Sequence, residues 1–284
     1  MDQPSIESAL ADLNLPAIRF YKSVGSTNDE AFKWVDSGAP DRALVIADEQ
    51  TAGRGRSQRR WITTPGSGLA FSLILLSPPF DPRLVSRLSG LGAVASRGAL
   101  QNKYALLAQI KWPNDILIDQ LKAGGVLVEA RWSGEILKAV IIGIGINIAP
   151  ESISAVNLPP TGVDFPPTCI ENALGSPVDR LELLHAILQE FLSWLPRLSL
   201  PDFIHEWETS LAFRDHWVVL SSGENLPATQ KGNVLSPYEV GKVIGLTQDG
   251  SLKLFTRTGA LVTVTVGELH LRPATFNQPF PPLD

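Results

Sequence analysis

The chain predicts an α/β (α+β) fold, with a larger domain over residues 1–212 followed by a small β-barrel over residues 213–284. Three observations carry this. Apolar, β-rich runs at Ala43–Ala47, Leu69–Leu76 and Leu137–Ile148 alternate with helix-forming stretches. The stretch Arg83–Tyr104 reads as a long helix rich in small residues (Gly90, Gly92, Ala93, Ala95, Gly98, Ala99), suited to close packing on a sheet. After Phe213 the pattern changes to short strands with glycine turns, and roughly 60 residues at that spacing suit a small barrel. A length of 284 residues agrees with about two domains and a sizeable core.

The elements follow in order. Ser26-Thr27-Asn28-Asp29-Glu30 opens a helix, because Thr27 with Glu30 three residues on makes a capping-box pattern ahead of Ala31, Phe32, Trp34 and Val35. Short strands are expected at Gln109–Trp112, Ile116–Ile118, Gly125–Ala130 and Leu137–Ile148, each bounded by turn residues. Prolines at 150, 159, 160, 166, 167 and 177 mark a surface excursion rather than a core element. Ser176-Pro177 then caps an amphipathic helix to about Leu195, and Pro201–Leu211 reads as another. Trp217–Leu220, Val240–Leu246, Ser251–Phe255 and Leu261–Val266 are the barrel strands, and the tail Asn277–Asp284 reads as disordered.

Composition removes several function classes. A 44% hydrophobic and 19% charged chain is an ordinary soluble globular one, and a net charge of −5 argues against general nucleic-acid binding. The single cysteine, Cys169, excludes an intramolecular disulfide and a cysteine-based metal site, and reads as a small semi-buried residue. Met1–Leu15 carries acids and no basic n-region, so no signal peptide is expected. No apolar run approaches the roughly 18 residues that span a bilayer. The expected location is the cytoplasm.

The segment Gly53-Arg54-Gly55-Arg56-Ser57-Gln58-Arg59-Arg60-Trp61 packs four arginines and two glycines into nine residues. Such arginines repel one another unless an anion sits among them. The glycines between them bring backbone N–H groups close to a ligand. This is a loop built to hold phosphate or carboxylate, with Trp61 as a flat wall. Lys111-Trp112-Pro113-Asn114-Asp115 sets a cation, an aromatic ring, a turn and a carboxylate at a strand end, although Pro-Asn-Asp is also plain turn chemistry. Lys122-Ala123-Gly124-Gly125 offers a second cation beside a backbone on which a flat ligand could lie. Gly143-Ile144-Gly145-Ile146-Asn147 lacks the third glycine and the following helix of a dinucleotide fingerprint; glycines alternating with isoleucines point instead to a sheet face under a close neighbour. There is no phosphate loop and no His-x-x-x-His, and His185, His205, His216 and His270 all lie after residue 180, so histidine base catalysis and zinc are disfavoured.

Taken together, Ser26-Thr27-Asn28, Asp48-Glu49-Gln50-Thr51-Ala52 running into the arginine loop, the segment at Lys111, the segment at Lys122 and the Gly143–Asn147 strand resemble in order and spacing the biotin protein ligases. The resemblance covers Tyr21 to Ala149 strongly and the C-terminal region, including Gly241–Leu246 and Leu271-Arg272, more loosely. The family loop commonly has glycine where Gln58 stands. The resemblance implies a mixed-sheet catalytic domain, an SH3-like barrel and a two-step reaction. Biotin's carboxylate attacks the α-phosphate of ATP to give biotinyl-5'-AMP and pyrophosphate. A lysine of a biotin carboxyl carrier protein then attacks the activated carbonyl. It further implies that Arg54, Arg56, Lys111, Asp115 and Lys122 carry the chemistry. Ser26, Thr27, Asn28, Gln50, Gly53, Gly55, Gly124 and Gly125 would join Arg54, Arg56 and Lys122 around biotin. Arg56, Arg59, Trp61, Lys111, Asn147 and Arg272 would meet ATP. Asp115 would orient or deprotonate the incoming lysine, or help hold Mg²⁺; no protein metal site is expected.

Two rivals belong beside this reading. A lipoate-type acyl ligase shares the adenylate logic but is not expected to combine the arginine loop with the Lys111 segment. A biotin-sensing DNA-binding repressor would carry a winged helix-turn-helix before Ser26, where this sequence has 25 residues with few basic groups. A binding module without catalysis would not need three separated cations around one pocket. The expectation is no DNA partner, no membrane, and a monomer or homodimer.

Overall fold

The apolar runs become the middle of a seven-stranded sheet. Its strands are β1 (Ile18–Tyr21), β2 (Leu44–Ala47), β5 (Gly68–Leu76), β6 (Gln109–Lys111), β7 (Asp115–Ile118), β8 (Leu121–Ser133) and β9 (Ile136–Asn147), in the order β1-β2-β5-β9-β8-β7-β6. β1 and β2 run parallel and every other neighbouring pair is antiparallel, so the sheet is mixed. β3 (Gln50–Arg54) and β4 (Arg60–Thr63) form a separate hairpin carrying the arginine loop. The computed structural model describes residues 1–56, 59–76, 81–154, 165–222, 238–265 and 269–273, and divides into the units Met1–Ala212 and Phe213–Asp284. Ser57, Gln58 and the tail Asn277–Asp284 lie outside the described residues.

Glycine sets how closely the helices approach. α3 (Arg87–Tyr104) follows a 3₁₀ turn at Pro82–Ser86, so the helix starts four residues later than the sequence pattern indicates. A side chain at Gly92 would strike Val126 Cγ1 at 2.8 Å, and one at Gly90 would strike the Trp207 indole at 2.4 Å. The helix can therefore approach the sheet at Gly92, and the helix that carries Trp207 at Gly90, only because these positions lack Cβ. α1 (Gln3–Ala9) contributes Gln3, whose Nε2 donates to the Ile18 carbonyl (2.8 Å) while its Oε1 accepts from Phe20 N–H (2.8 Å). One carboxamide thus mimics a peptide and caps part of the open edge of β1.

α2 (Thr27–Asp36) corrects the capping-box expectation. Ser26 is the N-cap, with no side-chain cap bond, and Thr27 turns its hydroxyl elsewhere. α4 (Glu151–Ser154) and α5 (Ile170–Leu174) flank residues 155–164, which are outside the described set. The proline-rich segment is not wholly a surface excursion: Phe165, Cys169 and Ile170 are buried, and Thr168 N–H donates to the Lys122 carbonyl (2.9 Å). Prolines remove backbone donors without preventing their neighbours' side chains from packing. α6 (Arg180–Trp194) begins three residues past Pro177, because Asp179 caps it by accepting from Leu181 and Glu182 N–H. α7 (Pro201–Thr209) follows. No described helix is long and apolar enough to cross a membrane.

The second unit is a five-stranded antiparallel sheet, order β13-β12-β11-β10-β14: β10 (Trp217–Ser222), β11 (Tyr238–Leu246), β12 (Leu252–Thr256), β13 (Leu261–Val264) and β14 (Leu269–Pro273). Val218, Val243, Leu246, Leu252, Leu254 and Val264 are buried. β14 is absent from the sequence reading, since Leu269–Pro273 is short and ends in proline.

One buried charge ties the first unit together. Asp48, just after β2, accepts from Lys22 Nζ (2.8 Å), Arg180 Nη1 (2.8 Å) and Gly66 N–H (3.2 Å). Burial pushes its pKa up, but these three donors outweigh burial and hold it at about 2, against an ordinary 3.8. The charged form is thus favoured in the folded state. Its contribution is complete above pH 3.8 and fades as pH falls towards about 2. Asp48→Asn is expected to cost about 3 kcal/mol, by leaving Arg180 without its carboxylate, and to flatten the acid limb of the stability curve. Urea melts between pH 5 and 2 check both, through an unfolding midpoint that falls less steeply with acid than the parent's.

Candidate active site

The glycines of β9 alternate with isoleucines, so one face of the strand is apolar and the other bare. Ile144 packs under Gly92 of α3, while the missing side chains of Gly143 and Gly145 leave room on the opposite face. That room is filled: a Cβ on Gly143 would lie 2.3 Å from Asn28 Oδ1, and one on Gly145 would lie 2.5 Å from Trp61 Cε2. Gly125, paired with Gly145, continues the bare face, with Asp115 Oδ1 3.4 Å and Lys122 Nζ 3.6 Å from its Cβ position. Gly124 belongs to the other face, where a Cβ would strike Ile146 Cδ1 at 2.7 Å and Ile116 Cδ1 at 3.1 Å. The expected two-glycine wall is therefore corrected: Gly125 faces the site and Gly124 faces the core, because adjacent strand residues alternate.

Beside this floor a carboxylate gathers cations. Asp115 opens β7 opposite both Lys111 and Gly125, so three strands converge on it. Its Oδ1 lies 2.7 Å from Lys122 Nζ and its Oδ2 3.8 Å from Lys111 Nζ. Burial pushes the Asp115 pKa up, yet Lys122 first and Lys111 next hold it below the usual range, with Arg59 adding to them. Lys111 is only 6% exposed and lies 4.6 Å from the Phe165 ring, while Lys122 lies 5.9 Å from the Trp61 ring. Asn114, after the cis Trp112-Pro113 peptide, donates through Nδ2 to the Val126 carbonyl (2.8 Å) and accepts at Oδ1 from Arg56 Nη1 (3.3 Å). Burial lowers the Arg56 pKa, with Asp115 opposing and Arg59 adding to the effect. Arginine's high intrinsic pKa keeps this guanidinium charged.

A polar network lines the other end. Gln50 Oε1 accepts from Thr27 N–H (2.7 Å) and from its hydroxyl (3.0 Å), which is where the Thr27 side chain goes instead of capping α2. Ser72 Oγ lies 2.8 Å from Thr27 Oγ1 and 2.6 Å from Asn28 Oδ1, and Asn28 Nδ2 donates to Glu129 Oε2 (2.7 Å). Gly53 is required, since a Cβ there would meet the Trp61 carbonyl at 2.2 Å. Gly55 has ordinary room, and its N–H donates to the Arg59 carbonyl (2.7 Å).

Among the sequence-predicted residues, Ser26, Thr27, Asn28, Gln50, Gly53, Arg54, Arg56, Trp61, Lys111, Asp115, Lys122 and Gly125 come together in the first unit. Asn147 turns its Nδ2 to the Thr168 carbonyl (3.0 Å). Arg272 sits on β14 of the second unit opposite Val219, and its side chain lies outside the described residues. Arg54 is held by carboxylates, Asp29 Oδ1 on Nη1 (2.7 Å) and Glu129 on Nη2. Asp29, Ser72, Glu129 and Phe165 escape the sequence reading; an acid in an otherwise apolar run, as Glu129 is in Val126–Ala130, is the one local signal that marks any of them. Among the described residues no group of three or more His, Cys, Asp or Glu gathers to hold a metal ion.

Residues 20–147 match the model of the Biotin/lipoate A/B protein ligase family. The bifunctional ligase/repressor BirA of Bacillus subtilis is 32% identical over 246 residues, covering 84% of this chain and 70% of that protein. The biotin–[acetyl-CoA-carboxylase] ligase of Paracoccus denitrificans is 35% identical over 176 residues, covering 61% of this chain and 71% of that one. The Aquifex aeolicus biotin protein ligase solved with biotin and ATP superposes with a TM-score of 0.72 at 26% identity, covering 91% of this chain and all of that one. The glycine floor, the carboxylate among cations and these likenesses agree, and the chain belongs to the biotin protein ligase family.

Proposed function

We propose that this chain joins biotin to ATP as biotinyl-5'-AMP, releasing pyrophosphate, and then transfers biotin to a lysine of a biotin carboxyl carrier protein, forming an amide and releasing AMP. The observation that carries it is the Lys111–Asp115–Lys122 group set beside the bare face of Gly125 and Gly145, with Arg56 reaching the adjoining turn. The first step brings together a carboxylate and a triphosphate, which repel. Cations fixed in advance offset that repulsion and hold the attacking oxygen in line with the α-phosphorus. Lys122 and Arg56 take this part. Asp115, by neutralising two lysines in a buried site, lets them stay charged and close together before substrate arrives. Asp115, paired with Lys122 and Lys111 at the end of β7, is placed to orient the incoming lysine. No enzyme nucleophile is needed.

Ser26, Thr27, Asn28 and Gln50 supply hydrogen bonds for the urea head of biotin, and the glycine face takes its flat apolar ring. Trp61, Lys111, Arg59 and Asn147 serve the nucleotide. Asp115 is already paired with Lys122 and Lys111, so Mg²⁺ would be held chiefly by the ATP phosphates and would screen their charge. Biotin-dependent exchange of labelled pyrophosphate into ATP tests the first step. Exchange with biotin and none with lipoate supports the proposal; exchange driven by lipoate would contradict it.

The same reading makes the chain a cytoplasmic ligase, monomer or homodimer, without operator binding. A net charge of −5 gives no long-range attraction to a polyanion. A gel shift near 150 mM salt with biotin and ATP is expected to show no sequence-dependent complex. A complex surviving competitor DNA would instead make the chain a regulator as well.

A further inference from the structure

We infer that Glu129 is a positioning residue for biotin: it straps the arginine loop to the sheet through Arg54 and fixes the carboxamide of Asn28. The inference rests on the biotin-ligation reading of this site. Glu129 sits midway along β8, and both its oxygens accept from Arg54 Nη2, at 3.0 and 2.8 Å. Asp29 holds the other end of the guanidinium at 2.7 Å. Burial works against the Arg54 charge, but Glu129 and then Asp29 hold its pKa above the usual value. Two carboxylates on one guanidinium neutralise it. Arg54 therefore has little positive field left for a substrate anion, unlike Arg56 two residues on, which reaches Asn114. Arg54 ends β3 and is tied to Glu129 and Asp29, whereas Arg56 lies in the loop beyond the strand and reaches Asn114, so Arg54 is a mechanical tie and Arg56 is directed at the chemistry.

The second contact acts on the site floor. Asn28 Nδ2 donates to Glu129 Oε2 at 2.7 Å, while Asn28 Oδ1 lies 2.6 Å from Ser72 Oγ, so both ends of the carboxamide are engaged. Its orientation is thereby fixed, since a flipped amide would face Glu129 with an oxygen and repel it. This is the carboxamide that occupies the space above Gly143. One carboxylate thus sets both the roof, through the loop, and part of the floor, through Asn28, of the pocket for the ring of biotin. Glu129 acts on the groups around the ring of biotin and not on the Lys111–Asp115–Lys122 group, so its loss is expected in the KM for biotin more than in kcat.

The test uses the full chain with Glu129→Gln, Arg54→Gln and the double variant. Glutamine keeps the volume and an acceptor for Asn28 but cannot neutralise the guanidinium. Glu129→Gln is expected to raise the KM for biotin about tenfold with kcat within about twofold and the KM for ATP little changed. The double variant should resemble Arg54→Gln alone in loop cleavage, because the two residues act as one unit. Independently of activity, trypsin should cut after Arg54, Arg56, Arg59 or Arg60 faster in Glu129→Gln than in the parent, with or without biotin. A variant with the parent's KM for biotin and the parent's cleavage rate would overturn the inference, as would a lowered melting temperature with both unchanged, which is what a purely structural pair would give. If the parent showed no biotin-dependent pyrophosphate exchange, the ligation reading would fall and biotin positioning with it, while the cleavage comparison would still report on the strap.

Discussion

Arg56→Ala is expected to fold as the parent does and to form biotinyl-5'-AMP at least about a hundredfold more slowly. The side chain contributes little to the core: it lies in the loop beyond β3 and reaches Asn114 Oδ1 at 3.3 Å. Its cost is electrostatic. A guanidinium lined up in a partly dry site, where carboxylate and phosphate charge converge, is worth about 3 kcal/mol, and each 1.4 kcal/mol is about tenfold in rate. Biotin-dependent pyrophosphate exchange with an unchanged circular dichroism spectrum checks it. Exchange near the parental rate would remove Arg56 from the reacting centre and leave the loop a binding strap only.

Lys122→Ala is expected to weaken biotin binding about tenfold and to slow turnover about a hundredfold. This cation would face the carboxylate before attack and the adenylate afterwards, so the substitution does not separate the two half-reactions. It also takes from Asp115 the partner at 2.7 Å and leaves Lys111 at 3.8 Å, so a loss of about 1–3 kcal/mol in stability accompanies it. Calorimetric titration with biotin on the folded variant checks the binding part; an unchanged affinity would place Lys122 outside direct contact with biotin.

What was legible in the sequence divides along a physical line. Leu44–Ala47 and Ile136–Asn147 read directly as strands, because strands covered on both faces are near-continuous apolar runs. Lys111, Asp115 and Lys122 stood out through the order and spacing of several segments together, since each segment alone also reads as turn chemistry or solvated surface. The hairpin of β3 and β4 did not read, since Gln50–Arg54 and Arg60–Thr63 carry polar and glycine residues, and their pairing depends on Gly53 fitting against Trp61. Gly124 and Gly125 looked equivalent until strand alternation assigned them to opposite faces. Prolines hid the burial of Phe165 and Ile170, since proline content reports on backbone donors and not on side-chain packing. Glu129 and Arg54 stand 75 residues apart, and no local pattern announces an ion pair between them. The Thr27 hydroxyl went to Gln50 rather than to the helix cap because a buried acceptor, 23 residues away, competed for it.

The most direct measurement is biotin transfer itself. Purified chain is incubated with ATP, Mg²⁺, biotin and a biotin carboxyl carrier domain, and the carrier is analysed by intact mass and peptide mapping. The account predicts one biotinyl group on a single carrier lysine, dependent on ATP, and no transfer from Arg56→Ala over the same interval. A carrier left unmodified by the parent chain, with ATP and biotin present and the carrier competent towards another biotin ligase, would contradict it.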